Sequence, residues 1–215
     1  MNVSVIPEHI FNKTMWLILV LVLISFSQDN IIFERLNTSH GLSNNTARKI
    51  LQDSKGYLWI GTNDGLNKYD GYNFTIFRHD VDDTTSLSDN EIWAIYEDRA
   101  NNLWIGTKNG LNLYNREKEN FTTFSYTAPT LDYINAFISI FQDNKGYLWL
   151  AVSYLEGLTK FDPQTKKYTH YRVDSLAFNN SNVVFDIIED KNGEGLWLGC
   201  YSSGLVFFDF ETEKF

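Results

Sequence analysis

Residues 50–70 read ILQDSKGYLWIGTNDGLNKYD, and the same pattern returns three more times in the chain. It comes back as IYEDRANNLWIGTKNGLNLYN at 95–115, as IFQDNKGYLWLAVSYLEGLTKFD at 140–162, and as IIEDKNGEGLWLGCYSSGLVFFD at 187–209. The tryptophans Trp59, Trp104, Trp149 and Trp197 are spaced by 45, 45 and 48 residues. Asn45, Asn90, Asn135 and Asn182 each precede Asp53, Asp98, Asp143 and Asp190 by eight residues. A fixed period of this length is the signature of a repeat architecture, so the repeat decides the fold before any single element does.

Each unit divides in the same way. A first apolar run ends at the Asp, and a short turn such as Ser54-Lys55-Gly56 leads to a second run, Leu-Trp-Ile-Gly. A third run opens at Gly-Leu and closes at Tyr69-Asp70 or its equivalents. A fourth, aromatic run follows as NFTIF, NFTTF or KYTHY. Four short runs rich in Ile, Tyr, Trp, Phe and Thr, separated by Gly, Asn and Asp turns, describe a four-stranded antiparallel meander. Meanders repeating at this interval are the blades of a β-propeller, in which a large indole fills the widening space between neighbouring sheets. The chain is therefore expected to be all-β, a partial propeller of about four blades. Blade 1 falls at 41–85, blade 2 at 86–130, blade 3 at 131–177 and an incomplete blade 4 at 178–215, where Phe215 aligns with Phe74 and Phe121 at the start of a fourth strand. Residues 28–40 form a lead-in whose strand, Ile31 to Leu36, is placed to close the ring. On this alignment the chain is a fragment or a truncated product.

The unit D-x-K-G-x-L-W-I-G-T-x-x-G-L-x-x-Y-D resembles the two-component regulator propeller repeat. That repeat occurs in tandem in the periplasmic sensor region of hybrid histidine kinases from Bacteroidota. The stretch from Phe33 to Phe74 resembles the usual opening of such a sensor. The third and fourth copies depart from Trp-Ile-Gly-Thr, at Leu150-Ala151-Val152 and Leu198-Gly199-Cys200. The resemblance implies further repeats, an immunoglobulin-like segment, a membrane helix and a kinase core beyond the segment in hand.

Composition sets the outer bounds. Six Trp, 12 Tyr and 16 Phe against 3 Pro suit half-buried pleated surfaces. A net charge of -9 with no cluster of Lys and Arg offers nothing to neutralise phosphates, which argues against nucleic acid as a partner. Cys200 is the single cysteine, so no internal disulfide forms, and its place in the repeat, that of Thr62 and Thr107, marks it as a packed thiol. From Met15 to Phe26 the chain is apolar, preceded by Lys13 and followed by Ser27. Such a run rises about 18 Å as a helix, short of a hydrocarbon core of roughly 30 Å, and residues 1–27 are expected to be a cleaved export signal.

The repeated aspartates start turns, where their carboxylates bond the following amides. The loops lack the oxygen pattern of a calcium site, the four histidines show no zinc spacing and no Gly-x-Ser-x-Gly occurs, so neither metal nor cofactor is expected. A residue present in every blade serves packing or turning, which leaves the departures as candidates for a ligand site. Arg48 and Lys49 stand where other blades carry Trp93 and Ala94, Ile138 and Ser139, or Phe185 and Asp186. Tyr154 and Glu156 lengthen the loop between the second and third strands of blade 3, and Tyr201 holds the matching place in blade 4. Arg48, Lys49, Trp93, Tyr154, Glu156 and Tyr201 are thus the expected ligand-binding set, at one mouth of the channel.

Three functions remain in view. The resemblance implies a non-enzymatic periplasmic sensor that binds an oligosaccharide or related nutrient. Its partners would be the missing blades, the downstream sensor domains and a second full-length copy in a homodimer. A secreted propeller enzyme, a lyase or glycosidase, would need paired carboxylates or a histidine constellation that the sequence does not display. A binding scaffold without signalling output is physically equivalent at the level of the blades.

Overall fold

The computed structural model describes residues 33–126, 136–153, 157–172, 183–201 and 203–215. The chain divides into two compact units, 1–35 and 36–215. Of the first, only 33–35 are described, and they are irregular. The expected export signal lies outside the described residues, as do Ile31 and Ile32 of the expected closing strand. The rest of that segment, through Leu36, forms no strand.

Among its described residues the second unit is all-β, as the repeat predicts, with one short 3-10 turn at Thr38–His40. Sheet one holds β1 (Ala47–Gln52), β2 (Leu58–Thr62), β3 (Gly65–Tyr69) and β4 (Phe74–Phe77). Sheet two holds β5 (Ile92–Glu97), β6 (Leu103–Thr107), β7 (Gly110–Asn115) and β8 (Asn120–Phe124), and sheet three β9 (Phe137–Gln142), β10 (Leu148–Val152), β11 (Gly157–Asp162) and β12 (Lys167–Tyr171). Sheet four has three strands, β13 (Val184–Glu189), β14 (Gly195–Cys200) and β15 (Gly204–Asp209). In every sheet the order follows the chain and every pairing is antiparallel. The bridge from Asp209 to Lys214 repeats the Asn115–Asn120 and Asp162–Lys167 pairs that begin the fourth strand elsewhere.

Successive sheets pack face to face, and their first strands approach one another, β1 against β5, β5 against β9 and β9 against β13. The core consequently lies between blades. Trp59 is enclosed with Ile92, Leu103, Ile105 and Tyr114 of the second sheet. Trp104 meets Phe137, Leu148 and Phe161 of the third, and Trp149 meets Ile187, Leu196 and Phe208 of the fourth. Their exposures are 0%, 2% and 3%, whereas Trp197, with no described blade beyond it, is 36% exposed. Ile50, on the opposite end face, is 66% exposed, against 7% for its equivalents Ile140 and Ile187.

A second feature ties each tryptophan to its own turn. The Asp53 carboxylate accepts the Lys55 and Tyr57 amides at 3.0 and 2.9 Å on one oxygen and the Trp59 indole N–H at 2.9 Å on the other. Trp104 and Trp149 donate likewise to Asp98 and Asp143, both at 2.8 Å, and Trp197 to Asp190 at 3.2 Å. The aspartates are turn residues, as the sequence suggests, and they also satisfy the one polar atom of a buried indole. At the other end of the first two blades, Ser43 and Ser88 are held by Thr62 and Thr107 at 2.8 and 2.7 Å, and by the buried Asn67 and Asn112 at 2.8 and 2.9 Å. These contacts lock the incoming chain onto the end of the blade where the candidate residues gather.

Candidate functional site

The first strand of every blade carries one extra residue near its start. Ala47 faces Thr62 and Lys49 faces Gly61, leaving Arg48 without a cross-strand partner. Trp93, Ile138 and Phe185 are bulged out in the same way from β5, β9 and β13. A bulge bends the strand and re-aims the side chain of the extra residue. The four bulged residues differ in chemistry from blade to blade: a cation, an indole, an aliphatic group and a phenyl ring.

Two of them meet across the gap between blades 1 and 2. The Arg48 guanidinium carbon lies 3.8 Å from the centroid of the Trp93 ring, a cation–π contact. Arg48 Nε donates to the Asn63 side-chain oxygen in the β2–β3 turn. Glu91 is 3.9 Å from an outer nitrogen of Arg48 and takes a shorter ion pair, 3.0 Å, from Lys108. That carboxylate beside Lys108 raises its ammonium above the ordinary lysine range. The Lys108 amide also donates to the Glu91 carbonyl at 3.1 Å, and the Asn109 side chain to Asp89 at 2.8 Å, so the β6–β7 turn is pinned to the segment entering β5. Trp93 is half-buried, and its indole nitrogen is enclosed without an acceptor, unlike the four tryptophans bound to aspartate. An enclosed donor left unpaired costs about 1–3 kcal/mol. The arrangement presents a cation and a ring face at the bulged end of the first two blades.

The remaining candidates divide. Lys49 is half-buried opposite Gly61 and forms no ion pair among the described residues. Tyr201 is 73% exposed in the β14–β15 turn, with its ring 6.0 Å from that of Phe185 and inclined to it by 62°. Between those two clusters, Ser139 donates to Asp186 at 3.1 Å, joining blades 3 and 4 at the same end. Tyr154 and Glu156 lie outside the described residues. Arg48 and Trp93 therefore come together, Tyr201 joins Phe185, and no contact links the two pairs among the described residues. Asn63, Glu91 and Lys108 were not singled out by sequence, because each falls in a turn of ordinary polar composition. Only the folded arrangement shows that Asn63 and Glu91 border Arg48 and that Lys108 holds Glu91 from the other side.

A cavity between blades 3 and 4, at the Asp–Trp end, contrasts with this site. There the Lys160 ammonium sits 5.3, 5.5 and 5.4 Å from the ring centroids of Tyr147, Trp149 and Tyr171, with Glu213 at 3.3 Å. The chain's own lysine fills that aromatic surround. Among the described residues no cluster of His, Cys, Asp and Glu is placed to hold a metal, and no helix is long and apolar enough to cross a membrane.

Antiparallel four-stranded sheets stacked through their faces, with first strands nearest one another, define a β-propeller. The family model described as two-component regulator propeller matches residues 41–64, 86–109 and 178–202. Histidine kinase P4 of Formosa agariphila is 46% identical over 57 residues, which is 26% of this chain and 4% of that protein. An extracellular domain assigned to a hybrid two-component system of B. thetaiotaomicron superposes with a TM-score of 0.69 at 29% identity, covering 84% of this chain and 25% of that one. A second B. thetaiotaomicron extracellular domain, assigned to a one-component system, gives a TM-score of 0.63 at 24% identity, over 81% of this chain and 22% of that one. The chain thus spans about a quarter of the length of these solved domains.

Proposed function

We propose that this chain is part of a periplasmic sensor propeller that binds a small ligand, an oligosaccharide or related nutrient, at the bulged end of its first strands. The ligand biases a two-state equilibrium of the larger protein and so governs a kinase. The observation that supports the site is the Arg48–Trp93 pair: a half-buried indole with an unpaired N–H, capped by an oriented guanidinium, at a place where the other blades carry Ile138 and Phe185. The likeness to extracellular domains of B. thetaiotaomicron supports the compartment and the role. In this reading the downstream sensor domains, further blades and a homodimeric partner belong to the longer protein, and residues 1–27 direct export.

Calorimetric titration of the sensor region with plant and host oligosaccharides tests the proposal. A saccharide that binds should lose most of its affinity with Trp93→Ala and with Arg48→Ala, while both variants keep the β-sheet circular dichroism of the parent at the titration temperature. Binding unchanged in both variants would remove the site.

A further inference from the structure

Resting on the site just proposed, we infer that its ligand is an acidic saccharide, and that Arg48 recognises a carboxylate on it in a two-toothed contact. A guanidinium carries five N–H donors in a rigid plane and matches a carboxylate best along one edge. At Arg48 the plane is already set from two sides. The Trp93 ring lies 3.8 Å from the guanidinium carbon, and Asn63 takes the Nε hydrogen. What remains is the edge formed by the two outer nitrogens. Neither makes a hydrogen bond among the described residues, since Glu91 stands off at 3.9 Å and is held at 3.0 Å by Lys108.

Other guanidiniums of the second unit are used differently, which sets Arg48 apart. Arg116 spends one outer nitrogen on Asp53 and the other on Glu97, both at 2.7 Å. Arg78 bonds Asp64 at 3.3 and 3.0 Å, and Arg99 reaches the Asp143 carbonyl at 3.1 Å. Arg48 alone in this group is oriented by a ring and a side-chain amide while its outer edge stays open. Orientation before binding saves the side-chain entropy that a free arginine would lose on contact. Beneath it, Trp93 keeps an unpaired N–H in an enclosed position, so the pair forgoes stability in the unliganded protein.

The test is calorimetric titration of the sensor region with trigalacturonate, triguluronate and a hyaluronan tetrasaccharide. Each is run beside its carboxyl-reduced neutral counterpart and beside a sulfated neutral oligosaccharide. At least one uronate is expected to bind about tenfold or more tightly than its reduced form, as a charge-assisted bidentate bond requires. Arg48→Lys, which keeps the charge and loses the fork, should abolish that preference. Asn63→Ala, which releases Nε, should reduce it. No preference for any acid over its reduced form overturns the inference, as does capture of the sulfated saccharide alone. Neutral saccharides that bind equally well and still depend on Trp93 would leave the proposed site standing without its carboxylate.

Discussion

Asp53 shows how much one repeated residue differs from its copies. Burial alone would raise its pKa, but hydrogen bonds from Arg116, the Trp59 indole and the Tyr57 amide outweigh that and hold it below the usual carboxylate value. The Arg116 contribution exists only at this interface: the same turn position is Gly71 in blade 1, Pro163 in blade 3 and Phe210 in blade 4, where the ring packs 5.4 Å from Trp149 instead. A carboxylate whose folded pKa is depressed adds stability above its unfolded value of about 3.9, and that stability is lost as pH falls through the folded value. Removing the guanidinium should do two things. Arg116→Met is expected to cost about 1–3 kcal/mol near neutral pH, less than a fully buried pair because Arg116 is partly exposed. It should also raise the pKa of Asp53 towards its unfolded value, so that the loss of stability in acid is smaller and is complete at higher pH. Urea denaturation of the parent and the variant across the acid range measures both effects. Parallel curves with no shift of the acid limb would assign the Asp53 pKa to its turn and its indole alone.

At the scale of the strand, the glycine of Trp-Ile-Gly-Thr is a spacing device. A Cβ at Gly61 would stand 2.6 Å from Ile92 Cγ2, and one at Gly106 would stand 2.6 Å from the Phe137 carbonyl oxygen. Both clashes come from the first strand of the next blade, at the edge of its bulge. Gly199 has nothing within 4 Å. Gly106→Ala should therefore cost about 1–3 kcal/mol as the two strands are forced apart. Gly199→Ala should be neutral or stabilise by roughly 0.5–1 kcal/mol, since alanine loses less backbone entropy in a strand. Chemical denaturation of the two variants decides it, and equal losses would contradict a role in blade spacing. The strands themselves were legible in the sequence, because turn residues and aromatic runs recur in step in all four units. The bulge was not. An extra residue in a strand leaves the composition unchanged, and only cross-strand register exposes it, although Arg48, Trp93, Ile138 and Phe185 could be noticed as mismatched copies. The closeness of Glu91 to Arg48 and of Lys108 to Glu91 depends on how turns of two blades meet, which no spacing along the chain encodes. Residues 154–156, with two of the six expected site residues, fall outside what the structure describes.

Across the second unit, stability follows from neighbours, because each blade buries the tryptophan of the one before it. An array of this kind behaves as a sum of unit terms and interface terms, so equivalent residues should differ in energy according to whether a blade follows. Trp104 is enclosed by the third sheet at 2% exposure, and Trp197 stands 36% exposed with Leu205 beside it at 67%. Trp104→Ala should cost about 3–5 kcal/mol, the range for deleting a buried aromatic. Trp197→Ala should cost about 1 kcal/mol, chiefly the Asp190 hydrogen bond and its contact with Phe207 at 4.8 Å between centroids. Urea titration of the two variants in the 215-residue chain gives the comparison. Repeating it in a chain extended by one more repeat distinguishes the cause. If interface burial sets the energy, the loss at Trp197 rises towards that at Trp104 and its fluorescence shifts to the blue, whereas an unchanged small loss would mean that the fourth blade packs by rules different from those of the first three.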